Sequence, residues 1–134
     1  LLLDGDGDSA WVIEAAIETT AAVPVLPLVD TIKRIAGRAA VETVARRELG
    51  RAQTPQGFDA DLIRGLHDRA SREETVASDD VALCELAGHP VAAVEGDPWN
   101  LKITTPADLA MAEWLVDSGR ILVPEVPEGS RGSL

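Results

Sequence analysis

Three aspartates alternate with glycines at the start of the chain, Asp4-Gly5-Asp6-Gly7-Asp8, directly after the apolar run Leu1–Leu3. Alternating carboxylates open a calcium loop, but such a loop needs glycine where Ser9 stands and a bidentate glutamate where Ala15 stands, so the pattern argues against that chemistry. Two readings remain for this segment. Carboxylates at the C-terminal end of a strand in an open α/β sheet stand where ligands usually bind, and one could hold Mg²⁺ against nucleotide phosphates; a solvated acidic turn is the other. Lys102 is the sharper candidate. It lies inside Asn100-Leu-Lys-Ile-Thr, a short apolar segment that predicts a strand over 101–103. A lysine there either snorkels from an edge or aims its ammonium into a cleft, and the pattern alone leaves both open. His67 and His89 have no spacing that suits zinc or a nucleophile motif, and Cys84 reads as helix packing. Asp30-Thr31-Ile32-Lys33 and Thr54-Pro55-Gln56 are polar clusters at segment ends.

The charge balance narrows the partners. Twelve Lys and Arg face 23 Asp and Glu in 134 residues, a net charge of −11. Such a surface repels nucleic-acid backbones, and the short basic run Arg46, Arg47, Arg51 carries no interleaved aromatics, so nucleic acid is not an expected partner. No apolar stretch reaches the roughly 18–20 residues of a membrane span, and no basic-then-apolar leader opens the chain. One cysteine cannot form an internal disulfide, which favours a reducing, cytoplasmic setting.

The elements that must position these residues alternate. A buried strand is expected at Leu1–Leu3, then a helix from Ser9 to about Thr20 with Ile13, Ala16 and Ile17 inward. The stretch from Val23 to Val29 cannot be helical with Pro24 and Pro27 in it, and reads as a strand. Segments Thr31–Ile35 and Val41–Val44 around the turn Ala36-Gly37-Arg38 predict a hairpin too polar for a core, hence a projecting arm. Helices follow at about Asp59–Ala70, with Leu62, Ile63 and Leu66, and at Asp79–Ala87, with Val81, Leu83 and Leu86, ended by Gly88. A strand at Val91–Glu95 precedes the turn Gly96-Asp97-Pro98. Thr105-Pro106-Ala107-Asp108 is a strong helix start whose helix turns Leu109, Ala112, Leu115 and Val116 inward and stops near Gly119. The rhythm predicts an α/β sandwich with a mostly parallel sheet.

Taken in order, Val25-Leu-Pro-Leu-Val-Asp30-Thr31-Ile32-Lys33, Arg46, Gln53-Thr54-Pro55-Gln56-Gly57-Phe58, Ser78-Asp79-Asp80, Val94-Glu95-Gly96 and Asn100-Leu-Lys102-Ile-Thr-Thr-Pro106-Ala-Asp108-Leu109 resemble the 2-C-methyl-D-erythritol 4-phosphate cytidylyltransferases over about residues 12–116. The resemblance implies a Rossmann-like nucleotidyltransferase sandwich with a β-hairpin arm that exchanges contacts in a homodimer. It implies transfer of CMP from CTP to a polyol phosphate with release of pyrophosphate, in non-mevalonate isoprenoid synthesis, with a divalent metal, Mg²⁺. Lys102 matches the lysine that reaches the substrate phosphates. Thr31, Arg46 and Thr54 match residues that hold methylerythritol phosphate, the last two across the dimer. Asp4 matches a strand-end aspartate that contacts metal and substrate.

Two departures accompany the resemblance. The family's opening glycine-rich segment, with the Arg and Lys that bind CTP, has no counterpart here, and Gly7 stands where an Arg belongs. The expected organisation is therefore a partial nucleotidyltransferase domain at 1–121, its arm at about 30–54, and a flexible tail at 122–134. A ribitol-5-phosphate or other polyol-phosphate cytidylyltransferase shares the same motifs and is the alternative enzyme; an inactive dimerisation or binding module is the alternative outside catalysis.

Overall fold

A computed structural model describes residues 8–121. The expected strand at Leu1–Leu3, the Asp4–Asp6 carboxylates and the tail at 122–134 lie outside the described residues.

The elements run α1 (Asp8–Thr19), β1 (Ala21–Pro27), β2 (Ile32–Ala36), β3 (Ala39–Val44), β4 (Gly50–Ala52), β5 (Gly57–Phe58), α2 (Ala60–Arg72), α3 (Asp80–Leu86), β6 (Ala92–Glu95) and α4 (Pro106–Asp117). The expected α/β class holds, and the main sheet is mixed where the sequence rhythm predicts a mostly parallel one. β1 is its spine. It pairs in parallel with β6, and antiparallel with β4 through its C-terminal half and with β5 through its N-terminal half. Ala22 and Val25 each have partners in β6 and in β5 or β4, so β4 and β5 divide one edge of β1 while β6 takes the other. Sequence periodicity cannot foresee this, because β4 and β5 are three and two residues long.

The break between β4 and β5 has a local cause. Extending the Val25↔Ala52 register by one step sets Pro24 opposite Gln53. Gln53 donates its N–H to the Pro24 carbonyl at 2.8 Å, but proline has no N–H to return the second bond of the pair. The partner strand leaves the sheet after Gln53 and rejoins it at Gly57, in a register displaced by two residues (Ala22↔Gly57). Residues Thr54–Gln56 are the excursion.

The core is small. Ala21, Ala22 and Val23 of β1, Val12 of α1, Val81, Leu83 and Cys84 of α3, and Ala112 and Leu115 of α4 are buried, with Ile121 beyond α4. Four apolar positions expected on packed helix faces are exposed instead. α1 turns Val12 to the sheet, whereas Ile17 is 77% exposed and Ile13 is exposed too. α4 buries Ala112 and Leu115 as expected but leaves Leu109 48% exposed, and Leu86 of α3 is also exposed. Apolar spacing defines a face that could be covered; it does not say that a neighbouring element reaches it. Burial pushes the Cys84 thiol up, with smaller help from the Asp80 and Glu85 carboxylates, so it is held as a packed, protonated side chain.

The hairpin matches expectation. β2 and β3 form their own two-stranded sheet, joined at Gly37, whose φ of 60° suits the tight turn. Lys33 donates to the Thr43 hydroxyl at 2.5 Å, and Arg34 pairs with Glu42 at 2.7 Å across the strands. The sheet pairing of β4 brings Gly50–Ala52 back to the main body, so the projecting part is shorter than the 30–54 span expected. Among the described residues no helix is long and apolar enough to cross a membrane.

Leu115, 1% exposed, is the largest fully buried side chain. Leu115→Ala should lower unfolding free energy by about 2–5 kcal/mol through lost burial and a residual cavity, read as a lower urea midpoint at unchanged slope.

Candidate active site

A cleft of about 390 Å³ opens where the 54–56 excursion faces the chain between β6 and α4; its lining includes Arg51, Gln53, Thr54, Asp79, Asn100, Lys102 and Asp108. Each wall has a structural reason. The first comes from the edge that Pro24 interrupts. The second is the Asp97–Asn100 turn, closed by the Asn100 N–H on the Asp97 carbonyl at 3.1 Å and by the Trp99 N–H on the Asp97 carboxylate at 2.7 Å. The third is the start of α4.

That helix start is heavily built. Thr105 caps α4 by accepting from the Asp108 N–H, and Asp108 Oδ2 accepts from the backbone N–H groups of Thr104 and Thr105 and from both of their hydroxyls, at 2.7–3.0 Å. The Thr105 hydroxyl is the largest of the donors that hold the Asp108 carboxyl down at about 2, and the Thr104 backbone follows.

Lys102 is exposed and lines the cleft, but the strand expected at 101–103 is absent: these residues are an irregular bridge between the Asp97 turn and the α4 cap. In place of a strand ladder, the carbonyls at the two ends of the preceding turn are met by one side chain. Gln53 donates from Nε2 to the carbonyls of Asp97 at 2.8 Å and Asn100 at 2.9 Å, and Asn100 donates from Nδ2 to the Thr54 carbonyl at 2.6 Å. Both amides are buried, Gln53 at 8% and Asn100 at 6% exposure, and their carbonyl oxygens have no hydrogen-bond partner among the described residues. Each such orphan works against stability by roughly 1–3 kcal/mol. On its outer side the turn is fixed by Arg120, whose guanidinium stands 5.3 Å from the Trp99 ring and 5.7 Å from the Trp114 ring.

Of the residues named from sequence, the structure brings Lys102 and Thr54 to one cleft. Arg46 and Thr31 are exposed and do not line it in the same chain; the Arg46 guanidinium donates to the Val29 carbonyl at the root of the hairpin. Asp4 lies outside the described residues. Sequence reasoning misses Arg51 as a second cation at the cleft, and gives Gln53 and Asn100 no role beyond their places in the motifs. In the sequence Arg51 is one of a short basic run, and its pairing opposite Leu26 is a non-local fact. The carboxylates that line the cleft are engaged by donors: Asp79 accepts from the Ala82 N–H and from Gln56 Nε2, and Asp108 Oδ2 accepts from four groups of Thr104 and Thr105. No group of three potential metal ligands forms among the described residues.

A cleft lined by two cations at the edge of an α/β sheet suits an anionic ligand, and comparison with known proteins gives the class, a nucleotidyltransferase-type domain. The family model for IspD, 2-C-methyl-D-erythritol 4-phosphate cytidylyltransferase, matches residues 6–118. A cytidylyltransferase of that name from Halalkalibacterium halodurans is 48% identical over 101 residues, covering 75% of this chain and 44% of the relative; one from Corynebacterium diphtheriae is 41% identical over 109 residues, covering 80% and 45%. The crystal structure of the Thermus thermophilus enzyme superposes with a TM-score of 0.77 at 46% identity, over 81% of this chain and 54% of that one. The chain belongs to the 2-C-methyl-D-erythritol 4-phosphate cytidylyltransferase family, and it spans about half the length of the curated relatives it matches.

Asp108 also sets a pH dependence. Its folded pKa lies below the ordinary carboxylate value of 3.8, so its contribution is complete above that value and is lost as pH falls toward about 2. Thermal unfolding should find wild type more stable than Asp108→Asn at neutral pH, with the gap closing between about pH 4 and pH 2.

Proposed function

We propose that this chain supplies the polyol-phosphate side of a cytidylyltransferase site that joins CMP from CTP to 2-C-methyl-D-erythritol 4-phosphate. A phosphate oxygen of the acceptor attacks the α-phosphorus of CTP, forming a new P–O–P link. The bond between the α-phosphorus and its bridging oxygen breaks, and the electron pair leaves with pyrophosphate. Two anions must meet, so catalysis rests on positioning and on cations that neutralise the developing charge. The observation that carries this reading is that Lys102 and Thr54, 48 positions apart in sequence, share one cleft with Arg51 in a chain of this family. Lys102 Nζ is the cation assigned to the phosphates, Thr54 Oγ1 a hydrogen-bonding partner of the acceptor, and Arg51 a second positive charge at the mouth. Asp79 and Asp108 also line the cleft, their carboxylates held in place by donors from Gln56, Ala82, Thr104 and Thr105.

Thr31 and Arg46 enter the proposal through a second copy, whereas Thr54, which the resemblance sets across the dimer with Arg46, is assigned to the cleft of its own chain beside Lys102. A two-stranded hairpin is at best marginally stable alone in water. β2 and β3 pair chiefly with one another and leave Ile35 and Val41 exposed, which favours a homodimer in which each arm is covered by the partner. Magnesium, with Asp4 as its carboxylate, and a cytoplasmic location belong to the same reading on family grounds.

In the full-length enzyme, Lys102→Ala should lower kcat by about 10²–10³, as loss of one preorganised charge-stabilising group does, while the sedimentation behaviour of the dimer is unchanged. Pyrophosphate release with CTP and methylerythritol phosphate is the measurement, and undiminished turnover would remove Lys102 from its role.

A further inference from the structure

The buried Gln53 and Asn100 are poor stabilisers. Together they make three amide-to-carbonyl hydrogen bonds, yet leave two buried oxygens unpaired. Apolar residues of similar volume would avoid the orphans. What the pair does achieve is geometric. The Gln53 backbone belongs to one edge of β1, through its N–H on Pro24, whereas the Gly96 N–H bonds Val25 on the side of β6. The Gln53 side chain therefore passes across β1 at the level of Pro24–Leu26, from one edge to the other. It can do so because residue 96 is glycine: a Cβ there would lie 2.2 Å from Gln53 Oε1 and 3.3 Å from Leu26 Cγ.

We infer that Gln53 and Asn100 form a reciprocal amide lock whose task is to hold the Lys102 bridge in register with Thr54, and that both are positioning residues for the phosphate site. The lock runs both ways. Gln53, which precedes Thr54, grips the Asp97 and Asn100 carbonyls, and Asn100, two residues before Lys102, grips the Thr54 carbonyl. Each residue that faces substrate is thus tied to the segment bearing the other. Lys102 is then suspended between two fixed points, the clamped turn at 97–100 and the saturated cap at Thr104–Asp108, with one residue of slack on each side. A lysine on an irregular bridge needs such restraint, because a displacement of about 1 Å at a reacting group can cost on the order of a hundredfold in rate. Gly96 belongs to the device although it touches no substrate.

This inference rests on the phosphate-transfer reading above, and the test keeps the two separable. Gln53→Met preserves length and removes both donations; Gly96→Ala leaves both amides in the sequence and drives the Gln53 carbonyl from its place, serving also where the first variant folds poorly. Both are made in the full-length protein and examined by hydrogen exchange and by steady-state pyrophosphate release. Amides of residues 99–104 should exchange about tenfold faster or more, with β2 and β3 unchanged, and kcat should fall on the order of a hundredfold with KM for CTP little altered. Uniformly faster exchange with kcat per folded molecule retained would overturn the lock, as would unchanged exchange at 99–104. If wild type releases no pyrophosphate with any polyol phosphate, the phosphate-transfer reading fails, and the local exchange contrast alone still decides whether the lock holds the bridge.

Discussion

One missing hydrogen organises this structure. Pro24 sits in the middle of β1, the strand with neighbours on both sides, and can accept from Gln53 but cannot donate to it. A strand pairing there would carry an unanswered carbonyl, and the chain resolves the mismatch by leaving the sheet. The excursion that results is one wall of the cleft and carries Thr54. Proline in a central strand is ordinarily a fault. Here the fault opens one side of the cleft that Thr54 and Lys102 line.

The second wall depends on side chains where secondary structure would normally serve. The Asp97 turn and the bridge after it have no strand partner, and their carbonyls are met by Gln53 from 44 and 47 positions away in sequence. This arrangement exchanges the rigidity of a ladder for three directed bonds, and lets a lysine project from backbone that is neither helix nor strand. The α4 cap ends the bridge with a different device, one carboxylate oxygen accepting four donors. Local and long-range restraints therefore meet on either side of Lys102.

What can be read from sequence follows the range of the interaction responsible. The helix starts at Asp59 and Asp79, the Thr105 cap and the Gly37 hairpin turn depend on neighbours within a few residues, and all four emerge near where residue chemistry predicts them, the two aspartates as N-caps. Lys102 and Thr54 are legible through family resemblance. β4 and β5 are hidden because Gly50-Arg51-Ala52 and Gly57-Phe58 have no strand signature; only β1 makes them strands. The strand expected around Lys102 fails because its apolar neighbours suggest pairing, while the groups that satisfy the preceding turn come from Gln53. Asn100 and Gln53 read as ordinary polar residues until folding buries them together. Ile17 and Leu109 lie on apolar stripes that nothing described covers, so periodicity gives their faces without their burial.

The chain holds a single sulfhydryl, at position 84, and the fold has sealed it inside α3. Chemistry directed at thiols therefore finds no accessible target in the folded domain. A cysteine introduced at the tip of the hairpin would stand alone as an attachment point for a spin label or fluorophore, allowing the excursions of that arm to be followed without stripping the protein of a native residue.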